Sequence, residues 1–163
     1  MPTVINSRFS HSLFTNVPSI AAACRAFLFA LALPASALCL AAPEDEVRAT
    51  AQLWVEGIGK GDADYMVSLY DKDAILHGTV SPVLRQGPEL IREYFQATVA
   101  NPPSMSFVEP MHIRVFGDTA VNTGNYVTRI GTNDPLTLRY SFVYHKVGDK
   151  WLIVDHHSSR MPE

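Results

Sequence analysis

From residue 105 onward the sequence permits little except strands. Met105 to Val115, Ala120 to Ile130, Leu136 to Val147 and Trp151 to Ser159 are four long runs rich in apolar, aromatic and β-branched residues. Gly117-Asp118 and Gly148-Asp149 separate the outer pairs, and Gly131-Thr132-Asn133-Asp134-Pro135 separates the middle pair. Turns this short join antiparallel neighbours, because a parallel crossover needs about a dozen residues or more. The second half is therefore expected to be an antiparallel meander.

The preceding segment reads as helices. Val47, Ala51, Trp54, Val55 and Ile58 recur at helical spacing, and Glu44, Asp45 and Glu46 fall in the first turn, where acidic groups oppose the positive end of the macrodipole. Gly57, Gly59 and Gly61 close this helix, and Asp62 is placed to cap a second, Ala63 to Tyr70. Asp71-Lys72-Asp73 reads as a turn, Ala74 to His77 as a first strand and Val83 to Gln86 as its short partner. Pro88 starts a third helix with Leu90, Ile91, Tyr94, Phe95 and Val99 inward, and Asn101-Pro102-Pro103 stops it. Three helices followed by a meander specify an α+β domain: helices laid across a curved, mostly antiparallel sheet, with room for a cavity at the wide end.

Residues 1–42 have a different character. They carry Arg8 and Arg25 but no acidic group, and the 17 residues from Ala26 to Ala42 are almost wholly apolar, interrupted by Pro34 and Ser36. All 16 acidic residues lie from Glu44 onward. A positive leader, an apolar core and small residues before a polar start describe a secretory signal, which makes residues 43–163 a periplasmic or secreted domain. An uncleaved anchor is the alternative, but a bilayer takes about 20 apolar residues and this run contains Pro34. Both cysteines, Cys24 and Cys39, fall in the leader, so the mature domain has no disulfide to rely on. Cys39 follows Ser36-Ala37-Leu38, a poor context for lipid attachment.

The thirteen Lys and Arg, less Arg8 and Arg25, leave eleven against 16 acidic groups, a formal −5 for the mature domain. That balance lacks the concentrated positive face of a nucleic-acid binder, and with the leader removed no segment is left to hold the chain in a membrane. There is no HExxH, cysteine cluster, calcium loop, glycine-rich phosphate loop or GxSxG elbow. No metal or cofactor is therefore expected.

Several short pieces occur in an informative order. Trp54-Val55-Glu56 and Gly61-Asp62 lie in the opening helices, followed by Leu69-Tyr70-Asp71-Lys72-Asp73-Ala74, then Gly87-Pro88-Glu89-Leu90-Ile91. Gly148-Asp149-Lys150-Trp151 and His156-His157-Ser158-Ser159 with Pro162 complete the series. In this order and spacing, over roughly residues 46 to 162, the chain resembles the NTF2-like superfamily. The nearer likeness is to its SnoaL-like domains, which include the SgcJ and EcaC type and the association domain of calcium/calmodulin-dependent protein kinase II. The resemblance implies a cone-shaped α+β fold. It implies no single activity, because the superfamily holds isomerases, dehydratases, cyclases, small-ligand binders and oligomerisation modules. In the kinase association domains arginines line the cone pocket. The matching positions here are near Val127, Phe142 and Ser158, with Arg129 and Arg139 close by.

The last strand is the main source of candidate chemistry. Regular alternation puts Trp151, Ile153, Asp155, His157 and Ser159 on one face and Leu152, Val154, His156 and Ser158 on the other. Both sets mix polar and apolar groups, so alternation alone does not decide which imidazole faces a cavity. The resemblance favours His157, as a base or proton donor beside Asp155, with His77 as a second candidate at the cone mouth. The competing reading is that these histidines sit at a strand end or a subunit seam. Adjacent His156 and His157 point to opposite faces and cannot both chelate one ion; a three-ligand site would need His77, His112 or Asp155 to converge. Asp155, His157 and Ser159 cannot form a relay, since same-face neighbours on one strand stand about 6.6 Å apart.

Candidate ligand-lining residues are Trp54, Tyr70, Tyr94, Tyr126, Arg139 and Phe142. Phe107, Ile113, Tyr140, Phe142 and Tyr144 give more apolar strand surface than three short helices readily cover, which points to a homodimer. Two functions then compete. One is an exported, non-catalytic domain that binds a small apolar or mildly polar ligand, assembles, or does both. The other is a cofactor-independent isomerase, dehydratase or cyclase acting on a small apolar substrate. The two differ in whether titratable groups meet at an enclosed cavity.

Overall fold

The computed structural model describes residues 41–79 and 81–162. The proposed leader, with Cys24 and Cys39, lies outside the described residues apart from Ala41 and Ala42. The chain runs α1 (Pro43–Lys60), α2 (Ala63–Ser68), β1 (Tyr70–His77), β2 (Arg85–Gln86), α3 (Gly87–Val99), β3 (Ser104–Phe116), β4 (Thr119–Arg129), β5 (Leu136–Val147) and β6 (Lys150–Arg160). One six-stranded sheet has the order β2-β1-β6-β5-β4-β3. The meander β3 to β6 is antiparallel throughout, as its turns require. The β1–β6 pairing is parallel, so the sheet is mixed. The helices cover one of its faces.

Local chemistry explains the helix limits. The stripe on α1 is buried as its spacing demands, with Val47, Ala51, Trp54 and Ile58 almost fully enclosed. Gly61 ends α1 in the left-handed region at φ 73°, and its N–H reaches the carbonyl of Ile58. Asp62 then caps α2, its Oδ1 accepting from the Tyr65 N–H at 2.9 Å. Among the described residues, no helix is long and apolar enough to cross a membrane.

Two departures from regular strands place the site. The first lies in β1, which starts at Tyr70 rather than at Ala74. The expected turn at Asp71-Lys72-Asp73 is present as an irregularity inside the strand: Tyr70 pairs with Ile153, yet Ile75 pairs with Asp155. The Asp73 N–H bonds to Asp71 Oδ1 at 2.9 Å, a local turn contact that a strand can hold as a bulge. The second lies in β6. Tyr144 pairs with Ile153 and Val143 with Asp155, so Val154 is an extra residue with no counterpart on β5. The bulge inverts the alternation: Trp151 and Ile153 face the helices, and beyond it His156 and Ser158 do. His157 is turned to the outer face and exposed.

The core is aromatic. Trp54 stands between Phe95, Tyr126, Phe142 and His156, with ring centres 6.5, 6.2, 5.3 and 5.3 Å away. Tyr140, Phe142 and Tyr144 are buried beneath the helices, and Phe107 and Ile113 pack against the same core. This corrects the surplus inferred from the sequence, because these five residues are covered within one chain and call for no partner. The outer face of the sheet carries instead a mixed set, with half-buried Val121, Val143, Leu152 and Val154 beside Asn125, Arg139 and Ser141.

Candidate functional site

At the wide end of the sheet, where β3 begins and β4 and β6 end, the helices leave a cavity of about 320 Å³. Its apolar wall includes Met105, Ile130, Leu136 and Leu138, with Tyr94 and Ala97 from α3 closing it from the helix side. Its polar groups are few: Thr79, Thr98, Asn101, Tyr126, Thr128 and Arg160. A small, mostly apolar space with a handful of polar groups is the usual form of a small-molecule site.

The polar wall is organised by buried Ser158. Its hydroxyl lies within hydrogen-bond reach of both Tyr126 OH and Thr79 Oγ1, tying β4, the end of β1 and β6 into one hydroxyl chain. Burial raises the Tyr126 phenol above its ordinary value, against the opposing effect of its bonds to Ser158 and Thr79. It therefore stays protonated as a neutral donor or acceptor at the cavity wall. Arg160 follows Ser158 on the same side of β6 and supplies the one cationic side chain named in this lining. The positions matched to the kinase-domain arginines do not supply it: Val127 and Arg129 lie on the outer side of β4, Phe142 is core, and Ser158 is the hydroxyl just described.

Gly78 helps shape the cavity, because a Cβ there would overlap the Tyr94 ring. Gly78→Ala should displace Tyr94 and destabilise the fold by about 1–3 kcal/mol, the usual result of overpacking. Thermal unfolding checks this, and an unchanged midpoint would mean that Tyr94 is free to move aside.

Behind the cavity lies a second polar group that is enclosed. The Trp54 Nε1–H donates to Tyr70 OH at 2.9 Å, and Tyr70 OH lies 2.8 Å from His156 Nδ1. Indole nitrogen can only donate, and Tyr70 OH has no other acceptor within reach among the described residues, so its phenolic O–H is assigned as the donor to Nδ1. That fixes His156 as the tautomer with its proton on Nε2, an atom with no hydrogen-bond partner among the described residues. Burial, and secondarily the neighbouring His157, push the His156 pKa down to about 3. Burial likewise raises the Tyr70 phenol well above its ordinary value. Both groups stay neutral at physiological pH, and the Phe142 ring lies tilted against the imidazole with centres 4.3 Å apart. The arrangement locks α1, β1 and β6 together.

The candidates read from the sequence thus separate into three places. His157, His77 and Asp155 are on the outer face; the His77 and His157 rings stand 6.0 Å apart on paired positions, across the sheet from the cavity. The expectation that His157 faces the cavity is corrected: His157 is turned to the outer face, and the inward imidazole, His156, lies in the core behind the cavity and not in its wall; the physical reason is the bulge at Val154. Arg139 is also outside, bordering a shallow hollow with Asn125, Ser141 and His157. Trp54, Tyr70 and Phe142 are core. Tyr94 and Tyr126 line the cavity. Thr79, Ser158, Leu138 and Arg160 were missed. The polar ending of the last strand pointed toward Ser158 and Arg160, but nothing in Leu138 or Thr79 marks them locally.

Helices over a six-stranded sheet, with an apolar hollow at the wide end, define an NTF2-like α+β cone. A proposed calcium/calmodulin-dependent protein kinase II association domain from Xanthomonas campestris shares 34% identity, covering 76% of this chain and 94% of its own, with a TM-score of 0.69. An NTF2-like protein of unknown function from Pseudomonas putida superposes with a TM-score of 0.67 at 15% identity, covering 74% of this chain and 87% of its own. A proposed ketosteroid isomerase from Parabacteroides distasonis does so at 0.63 and 20% identity, covering 74% and 89%. No curated protein matches the chain in sequence. Residues 43–162 match the family described as calcium/calmodulin dependent protein kinase II association domain, and the chain belongs to that family.

Proposed function

We propose that this chain is an exported, non-catalytic binding domain that holds a small, mostly apolar ligand at the wide end of the cone. The observation that carries this reading is the cavity itself: apolar walls with a neutral hydroxyl chain and Arg160 at the polar side. Such a lining favours a compact apolar body with one oxygen-bearing end. Acid–base catalysis is less well served. The titratable side chains at the cavity are phenols and a guanidinium, and the one buried imidazole among the described residues is spent on Tyr70 behind it. Export is supported by the leader composition alone, and the mass of the secreted chain would reveal removal of residues 1–42.

Leu136 is 41% exposed at the cavity rim, so Leu136→Trp should plug the space without disturbing the core. Anilinonaphthalene sulfonate, an aromatic anion, serves as the probe. Wild-type protein should bind it at one site per chain, and Leu136→Trp should weaken binding at least about tenfold, or about 1.4 kcal/mol. Equal binding by both proteins would remove the cavity from the account.

The same domain is proposed to pair with a second copy through the outer face of the sheet. The family description as an association domain and the half-buried valines of that face support this. Val143 lies near its middle, on β5. Val143→Arg should leave monomers in analytical ultracentrifugation, whereas an unaltered sedimentation coefficient would place the seam elsewhere.

A further inference from the structure

The outer face contains a constellation that the cavity does not use. In the parallel β1–β6 pairing, His77 stands directly opposite His157. Both side chains are exposed, and their rings meet edge to face with centres 6.0 Å apart at 88°. The two strands are central in the sheet order and fix the Cα positions, so only side-chain rotation is free. Imidazole nitrogens bind zinc at about 2.0–2.1 Å, which sets the ring centres of two imidazoles on one tetrahedral ion about 5 Å apart. Small rotations of two exposed rings close the remaining gap. We propose that His77 and His157 form a two-histidine site for a divalent transition-metal ion of borderline softness, zinc or copper in kind, with water completing the coordination.

Charge and access shape this site. Asp155 precedes His157 on the same face of β6, and its carboxylate favours a cation there. Arg139 pairs with Ser159, the next outward residue of β6, and its guanidinium opposes one. The hollow of about 360 Å³ beside His157 gives coordinating water a place. Among the described residues no three His, Cys, Asp or Glu side chains converge on one point, so the protein supplies two ligands and binding is moderate rather than tight. The sequence reading expected no metal because His156 and His157 diverge. The partner of His157 is instead 80 residues earlier in the chain and adjacent only through the parallel pairing.

The test is isothermal titration of the domain with zinc alone. One ion per chain is expected, with His77→Ala and His157→Ala each weakening binding by at least about tenfold. Arg139→Ser should strengthen it. His112→Ala is the control: His112 is exposed on the same face, on the far edge strand, and its loss should change nothing. Copper should displace zinc, following the order of divalent ion affinities. Thermal unfolding of each variant establishes that these exposed substitutions leave the fold intact. Absence of saturable binding, or binding by folded His77→Ala and His157→Ala equal to wild type, overturns the proposal. Because both ligands come from one chain, the stoichiometry should stay at one ion per chain in dilute, unpaired protein, which separates this site from the pairing of copies.

Discussion

Trp54→Ala should be the most damaging single truncation in the domain, costing about 3–5 kcal/mol in urea unfolding. The indole is 2% exposed and lies among Phe95, Tyr126, Phe142 and His156. Its removal leaves a cavity that strands and a helix cannot jointly refill. It also takes away the donor to Tyr70. Trp54→Phe separates the two effects: most of the ring remains but the Nε1–H is lost, at a cost of about 1–2 kcal/mol. A loss of less than about 1 kcal/mol for Trp54→Ala would mean that the aromatic core is looser than its packing indicates.

The second large effect is on pH. The His156 pKa is about 3 in the folded chain and has its ordinary value of 6.5 when unfolded. Between these values the unfolded chain binds the extra proton and the folded chain does not. Unfolding is therefore favoured as pH falls through this window, with a slope approaching about 1.4 kcal/mol per pH unit. Well above pH 6.5 both states are neutral and this contribution vanishes. Glu46 acts in the same direction, its carboxyl lowered by hydrogen bonds from Lys146 and Trp151, but only below its ordinary value of 4.5. The window between these two ordinary values is where His156 can be isolated. His156→Asn keeps an acceptor for Tyr70 while removing the titrating ring. Urea midpoints measured across this range should lose the part of their slope that wild type owes to His156. An identical slope in the variant would show that the imidazole does not titrate on unfolding as described.

Much of the architecture could be read from local chemistry. The apolar stripe of α1, the Asp62 cap and the Gly-Asp turns are each determined within a few residues, and each stands where the sequence placed it. The bulge at Val154 could not be read that way. It is a property of how β6 registers against β5, and no residue within β6 announces it. That single inserted residue sets His156 inward and His157 outward, a choice that alternation alone left open and that the resemblance made the other way. The apolar residues of β5 were misjudged for a related reason. Tyr140, Phe142 and Tyr144 look like surplus when each helix is counted by length, but all three are buried in one cluster with Trp54 and Phe95 from the helices. The cavity wall was only partly visible because Thr79, Met105, Tyr126, Leu138 and Arg160 come from separate parts of the chain and meet only in the folded sheet.

The central claim is that ligand enters the wide end of the cone and does not engage the buried imidazole. Nuclear magnetic resonance of the labelled domain, titrated with anilinonaphthalene sulfonate, addresses both halves at once. Shifts should cluster on Met105, Tyr126, Thr128, Ile130 and Leu138, while the His156 ring nitrogens keep the signature of a neutral imidazole protonated on Nε2. Shifts confined to the outer face, or a change of His156 tautomer or protonation with bound probe, would contradict the account and return the enzyme reading to first place.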